Sequence, residues 1–259
     1  MTQEVPAMSR ILLTALTAVL IVTAIACDPG EPDVTAPRQQ SPTIPASDSG
    51  YRPDIDPSNF VDVIDNPLLP LEPGMVFNLR GETEDGVEHE TVRVTARTKE
   101  VLGVRTTVVK DVVRVNGELA EFTYDWYAQD RDGNVWYFGE DTAEYERGEV
   151  VSRQGSWEAG VDGARPGIIM NAHPQVTDSH RQEYYRGEAE DMYWVVATGE
   201  SRSVPFGDFE NVVRTLEWSP LEPKVVVEKF YAPGVGLLAE GALAGGKENV
   251  ELLRVTRRG

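Results

Sequence analysis

Thr91-Val92-Arg93-Val94-Thr95-Ala96-Arg97 places apolar residues at every second position: Val92, Val94 and Ala96. A period of two marks a strand with one buried face. Runs rich in β-branched and aromatic residues recur at 104–115, 119–128, 135–138, 192–197, 212–218, 225–231 and 249–255. Turn dipeptides stand between them: Asp85-Gly86, Asn116-Gly117, Asp132-Gly133 and Pro233-Gly234. No stretch here carries a long 3.6-residue period. The pattern predicts an all-β domain, an antiparallel meander forming a curved sheet or a β-barrel-like closure. A flat sheet of this size would leave long edges open.

Working outward, Asp56-Pro57-Ser58-Asn59 predicts one short N-terminal helix, with Asp56 as cap and Pro57 at its first position. Asn66-Pro67 and Glu72-Pro73-Gly74 predict turns. Leu68, Leu69 and Leu71 between them are expected to plug one end of the core. Residues 148–188 are less regular and hold two of the histidines. A long irregular segment inside a compact domain is more often functional or a packed flap than idle. Residues 94–113 and 195–215 echo each other as strand, turn, glycine turn and strand. A duplicated half-barrel and a chance likeness of hairpins both fit this echo, and chance is the simpler reading.

The N-terminal stretch Ile11–Ala26 is uncharged. Its length as a helix is about 24 Å, short of the roughly 30 Å needed to span a bilayer core. It reads as the apolar region of a secretory signal covering residues 1–26, preceded by Arg10. Met8 is an alternative start that gives a cleaner signal. Small residues then lead into Cys27 in Thr23-Ala24-Ile25-Ala26-Cys27. This junction resembles the lipobox of bacterial lipoproteins, although that family prefers leucine where Ala24 stands. The resemblance implies cleavage before Cys27 and lipid attachment at its sulfur. Acyl chains contribute about 0.8 kcal/mol per buried CH₂, so two chains anchor stably. Residues 27–50 are rich in proline and serine, which favours an extended, solvated tether. Residues 51–259 form the expected single β-rich domain.

The chain of 259 residues holds 43 acidic and 24 basic residues, a net charge of −19. A nucleic acid would repel it, so no nucleic-acid partner is expected. One cysteine excludes an internal disulfide and any multi-cysteine metal site.

Few motifs point to chemistry. Asp130, Asp132 and Asn134 space oxygen ligands as a calcium loop begins. Val135 and Asp141 stand where an EF-hand needs its glycine and glutamate, and the flanks read as strands, so a plain β-hairpin is the stronger reading. His173 and His180 lie near Asp178 and Glu183, without zinc-site spacing. Glu158 and Asp162 beside Trp157 offer paired carboxylates of the kind used in glycoside hydrolysis. In so acidic a chain such pairs arise freely. Glu188, Glu190 and Asp191 read as a solvated turn, with cation binding as a lesser option. No nucleophile elbow, phosphate loop or dinucleotide fingerprint is present, so no cofactor is expected. Trp126 and Trp136 flank one hairpin and are expected to be cross-strand neighbours that pack rather than bind.

Three sets of phrases carry a wider resemblance: Ile64-Asp65-Asn66-Pro67 with Pro70-Leu71-Glu72-Pro73-Gly74; residues 125–140, DWYAQDRDGNVWYFGE; and Tyr231-Ala232-Pro233-Gly234-Val235-Gly236-Leu237. The chain resembles a family of uncharacterised secreted or lipid-anchored bacterial proteins across most of residues 60–240. That resemblance implies export and a β-rich domain, and brings no catalytic residues. The last phrase is also similar to one in envelope proteins with curved or barrel-like sheets.

The sequence thus leads to an extracytoplasmic protein held to a membrane of the cell envelope by a lipid anchor, binding an apolar small molecule or an envelope protein partner. The alternatives are a carboxylate-dependent hydrolase using residues 148–188 and a structural envelope lipoprotein. A binder predicts an apolar cavity of several hundred Å³. An enzyme predicts a cleft with converging carboxylates. A structural protein predicts a filled interior and an exposed apolar patch.

Overall fold

The computed structural model describes residues 50–257; the signal segment, Cys27 and the tether up to residue 49 lie outside the described residues. The strands are β1 (Phe60–Val61), β2 (Met75–Thr83), β3 (Gly86–Val101), β4 (Val104–Val115), β5 (Glu118–Asp130), β6 (Val135–Glu146), β7 (Glu149–Ser152) and β8 (Trp157–Glu158). They continue with β9 (Arg165–Met170), β10 (Ser179–Arg181), β11 (Glu183–Tyr184), β12 (Met192–Val204), β13 (Gly207–Trp218), β14 (Val226–Ala232), β15 (Gly236–Ala244) and β16 (Asn249–Arg257). All pair antiparallel. The order β10-β12-β13-β14-β15-β16-β2-β3-β4-β5-β6-β9-β11 makes a nearly closed barrel. The predicted helix is a 3₁₀ turn at Pro57–Asn59, with the Asp56 carboxylate accepting from the Ser58 N–H at 2.9 Å.

The hairpin signals acted as read. Asn116 and Gly117 both have positive φ, 53° and 87°. That conformation suits a two-residue turn whose twist matches its strands. It sets β4 on β5 with Val115 opposite Glu118. The echoing segments are the bulged hairpins β3–β4 and β12–β13. β15 escaped the sequence reading because Gly236-Leu237-Leu238-Ala239-Glu240-Gly241-Ala242 lacks the β-branched signature.

Trp126 and Trp136 are not cross-strand partners. Trp136 lies opposite Ala128 and Trp126 opposite Val108. A bulge at Gly139 (φ 135°) shifts the register between Asp125 and Tyr127. A Cβ on Gly139 would come within 2.3 Å of the Trp157 carbonyl oxygen.

Two devices close the barrel. The C-terminal strand β16 pairs with β2, for example Val255 with Phe77. On the far side one run of six residues bridges the remaining gap: Ser179, His180 and Arg181 pair with β12, and Glu183 and Tyr184 pair with β9. Between them the Gln182 N–H donates to the Asp191 carbonyl at 2.8 Å. This seam needs close backbone approach. A Cβ on Gly167 in β9 would lie 2.2 Å from the Arg181 carbonyl oxygen and 2.5 Å from the Gln182 carbonyl carbon.

One end of the interior is apolar, with Phe77, Leu79, Val94, Val109 and Leu252 in one cluster. The leucine plug seats there: Leu68 and Leu71 are buried and Leu69 packs at the margin. Asn66 holds the plug. Its side-chain amide donates to the Gly133 carbonyl at 2.8 Å, and its side-chain oxygen accepts from the Leu68 N–H at 2.8 Å.

Gly167→Ala is expected to push the seam off β9 and cost about 1–3 kcal/mol, the usual range for overpacking. Chemical denaturation measures this, and an unchanged midpoint would show that the approach at Gly167 relaxes freely.

Candidate functional site

Following residues across the ladders shows what the barrel encloses. Opposed residues share a face. One row runs Val92, Asp111, Thr123, Thr142; the next runs Val94, Val109, Asp125, Glu140, Trp157. Another row carries Thr107, Tyr127, Tyr137 and Gly167. On the opposite wall Val250, Glu240, Lys229, Thr215 and Val195 stand in line. The enclosed face is therefore largely acidic and aromatic. Glu90, Asp111, Glu121, Asp125, Glu140, Glu183, Glu217 and Glu240 are all buried.

This reverses the reading that apolar alternation suggests. In β5 the residues Glu121, Thr123 and Asp125 point inward, while Phe122 and Tyr124 are half-buried on the outer surface. There the Lys110 ammonium sits 4.6 Å above the Phe122 ring and the Arg97 guanidinium 5.0 Å above the Tyr124 ring. Cation–π contact and aliphatic cover let aromatics occupy a wet face. The expected apolar concavity thus gives way to a polar interior with an apolar end.

Inside, some carboxyls have partners. Asp125 accepts from the Tyr137 hydroxyl at 2.8 Å, and Tyr137 stacks on Tyr127 at 4.8 Å and meets Trp157 edge-on at 5.4 Å. Lys229, the buried lysine of the described residues, lies 2.6 Å from Glu217 and 3.7 Å from Glu240. Burial opposes its charge, yet Glu217, Tyr231 and Glu240 together hold the ammonium above its usual range. Others are poorly partnered: the Glu140 carboxyl oxygens have no hydrogen-bond partner, and Glu183 is approached by the Trp157 indole N–H and the Asp191 backbone N–H without well-formed bonds.

Burial favours the protonated form of the following interior carboxyls. Burial pushes Asp111 up to about 6, Glu240 to about 7 and Glu121 to about 8. It raises Glu90, Asp125, Glu140 and Glu183 well above the carboxylate range, with neighbouring acids adding to the effect.

The residues singled out in sequence lie elsewhere. The Asp130 carboxylate accepts from the Asn134 N–H at 2.8 Å, its side-chain amide at 2.9 Å and the Trp136 indole at 2.8 Å. Asn134 in turn accepts from the Ala172 N–H at 3.0 Å, and Asp132 is exposed. These are hairpin contacts. Among the described residues no group of three or more histidine, cysteine or acidic side chains is placed to hold a metal ion. Glu158 turns outward to Lys99 at 2.8 Å and Asp162 occupies an exposed turn, so the two do not converge. His89 and His173 are exposed. His180 stacks on Tyr193 at 5.6 Å, and burial lowers its pKa against the pull of Asp178.

A cleft of about 380 Å³ opens beside the seam, where the chain enters the domain. Pro53, Ile55, Leu102, Ala164 and Pro166 make its apolar walls, with Arg52 and Arg165 adding positive charge. Arg165 donates to the Tyr51 carbonyl and stands 5.4 Å over the Tyr184 ring. The Tyr51 hydroxyl donates to the Pro166 carbonyl at 2.8 Å, fixing the entering segment to β9.

No protein-family model matches this chain, and no curated protein matches it. Two solved structures are similar in fold. One is a Bacteroides fragilis protein described as exported and of YmcC-like fold: 16% identical, covering 73% of this chain and 99% of its own, with a TM-score of 0.44. The other is a Parabacteroides distasonis protein described as a lipoprotein: 11% identical, covering 74% and 99%, with a TM-score of 0.35. At such scores the likeness carries no functional argument.

The interior carboxyls make stability pH-dependent in a definite direction. Their folded pKa values exceed the unfolded ones, so the folded chain holds protons that the unfolded chain releases. The stabilisation is complete below the unfolded carboxyl range, near 4.5 for glutamate, and is lost as pH rises through about 6, 7 and 8 for Asp111, Glu240 and Glu121. Melting temperature should fall between about pH 5 and pH 8.5, by about 2–4 °C for each kcal/mol lost. Glu121→Gln should flatten the upper part of that slope. A melting temperature that rises over this range would contradict the assignment.

Proposed function

We propose that the protein is a lipid-anchored extracytoplasmic binding protein whose cleft beside the seam takes an apolar small molecule with an anionic end. The observation that carries this reading is the cleft of about 380 Å³, apolar-walled, with Arg52 and Arg165 on its lining. That volume falls within the range of small-molecule sites, which are mostly apolar with a few placed polar groups. The apolar walls supply affinity by removing surface from water, and the guanidinium groups orient an anion.

The signal segment, Cys27 and the proline-rich tether support the location. The tether would join the domain at Tyr51 and Arg52, next to the cleft. A site placed there meets molecules released from or bound for the membrane. The hydrolase reading has less support. The converging carboxyls are interior ones, and Glu140 and Glu183 are each 1% exposed. A general acid must reach its substrate within hydrogen-bond distance.

Two measurements test the proposal. Titration of the mature chain carrying Cys27→Ser with anilinonaphthalene sulfonate, an apolar anion, should give saturable fluorescence. Ala164→Trp, which fills the cleft, should weaken it at least about tenfold, equivalent to about 1.4 kcal/mol. Undiminished binding by the filled variant would overturn the assignment of the cleft. Separately, Cys27→Ser expressed in the native host should move the protein out of the membrane fraction; full retention there would overturn the anchor.

A further inference from the structure

The six residues of the seam hold the barrel shut with few backbone bonds. β10 has three residues and β11 two, and the chain changes partners at Gln182. Strand pairs this short have little stability of their own and depend on what their side chains meet. On the inward side that is Glu183, buried among acids. Glu140 faces it from β6, Asp125 from β5 and Asp191 from the approach to β12, with the Trp157 indole on β8. Glu121 on β5 also acts on Glu140. The charged groups bearing most strongly on this pair are all acidic. The nearest cations on the seam serve other partners: Arg181 lies 4.8 Å over the Tyr184 ring and 3.9 Å from Glu190, and Arg165 donates to the Tyr51 carbonyl. Lys229 is engaged on the opposite wall by Glu217 and Glu240.

We infer that Glu140 and Glu183 form a proton-operated latch on the barrel: while both are neutral, residues 179–184 stay zipped between β9 and β12, and their ionisation releases that segment. The physical reason is burial. Both carboxyls are 1% exposed and no cation among the described residues is paired with either, so ionisation would set like charges together out of reach of bulk solvent. The two carboxyls sit on elements of unequal strength. Glu140 sits in the middle of β6, which is paired on both sides, whereas Glu183 sits on a two-residue strand. Opening at Glu183 hydrates both groups and leaves the long hairpins intact. Its direct partner in the ladder is Pro166, so release also loosens one wall of the cleft.

Hydrogen exchange of the whole mature chain reads this without any ligand, so its failure is distinct from failure of the binding proposal. After correction for intrinsic exchange, protection of residues 179–184 should fall at least about tenfold between pH 6 and pH 9 relative to the β3–β4 hairpin. Glu183→Gln and, independently, Glu140→Gln should retain protection across the range, while Glu158→Gln on the outer face should behave as the unmodified chain. Equal protection at both pH values in the unmodified chain would overturn the latch. So would an undiminished pH response in either interior variant that folds.

Discussion

The barrel depends on a backbone constraint at the seam. β9 and β12 end the two halves of the meander, and each would present unpaired N–H and C=O groups at an open edge. Residues 179–184 satisfy both edges in turn, by changing partners at Gln182. That approach requires a residue without a side chain at Gly167. With the seam in place the interior carboxyls are buried, and the chemistry of the interior follows from that burial.

The interior is divided in its composition. The apolar cluster of Phe77, Leu79, Val109 and Leu252, closed by the leucine plug, supplies the hydrophobic driving force. Next to it lies a band of carboxyls and tyrosines, with Lys229 compensating Glu217 and Glu240. Coulomb energy between like charges a few ångströms apart reaches about 4 kcal/mol even at a moderate effective dielectric. A band this dense is compatible with a folded barrel because most of its members keep their protons. The same groups that would be inert on the surface become a reservoir of pH-dependent free energy when enclosed.

The strands were legible because period two and turn dipeptides are local signals. Val92 and Val94, the Asn116-Gly117 hairpin and the capped turn at Asp56 each depend on a few neighbouring residues. Which face of a strand points inward is not local. In β5 the alternation of Glu121, Thr123 and Asp125 with Phe122, Tyr124 and Trp126 is equally regular either way round, and apolarity points to the wrong face. Arg97 and Lys110, which cover the outer aromatics, come from β3 and β4. The repeated acidic spacing at Glu88 and Glu90, and again at Glu121 and Asp125, was the available signal, and it reads as a solvated face until closure is known. The cleft was illegible for a similar reason: Arg52, Leu102 and Arg165 are far apart in sequence and meet only when the entering segment lies against β9. Glu183 stands in the irregular segment 148–188, but its neighbours Glu140 and Trp157 are set by the barrel.

The cleft and the acidic band share the seam, since Pro166 lines one and pairs with Glu183 of the other. The account rests on the neutrality of the enclosed carboxyls. Infrared difference spectroscopy detects it through the carbonyl stretch of protonated carboxylic acids. At about pH 7 the folded protein should show these bands in a water-excluded environment, diminished by removal of the Glu140 or Glu183 carboxyl. A folded protein at that pH with ionised carboxylates alone would contradict the account.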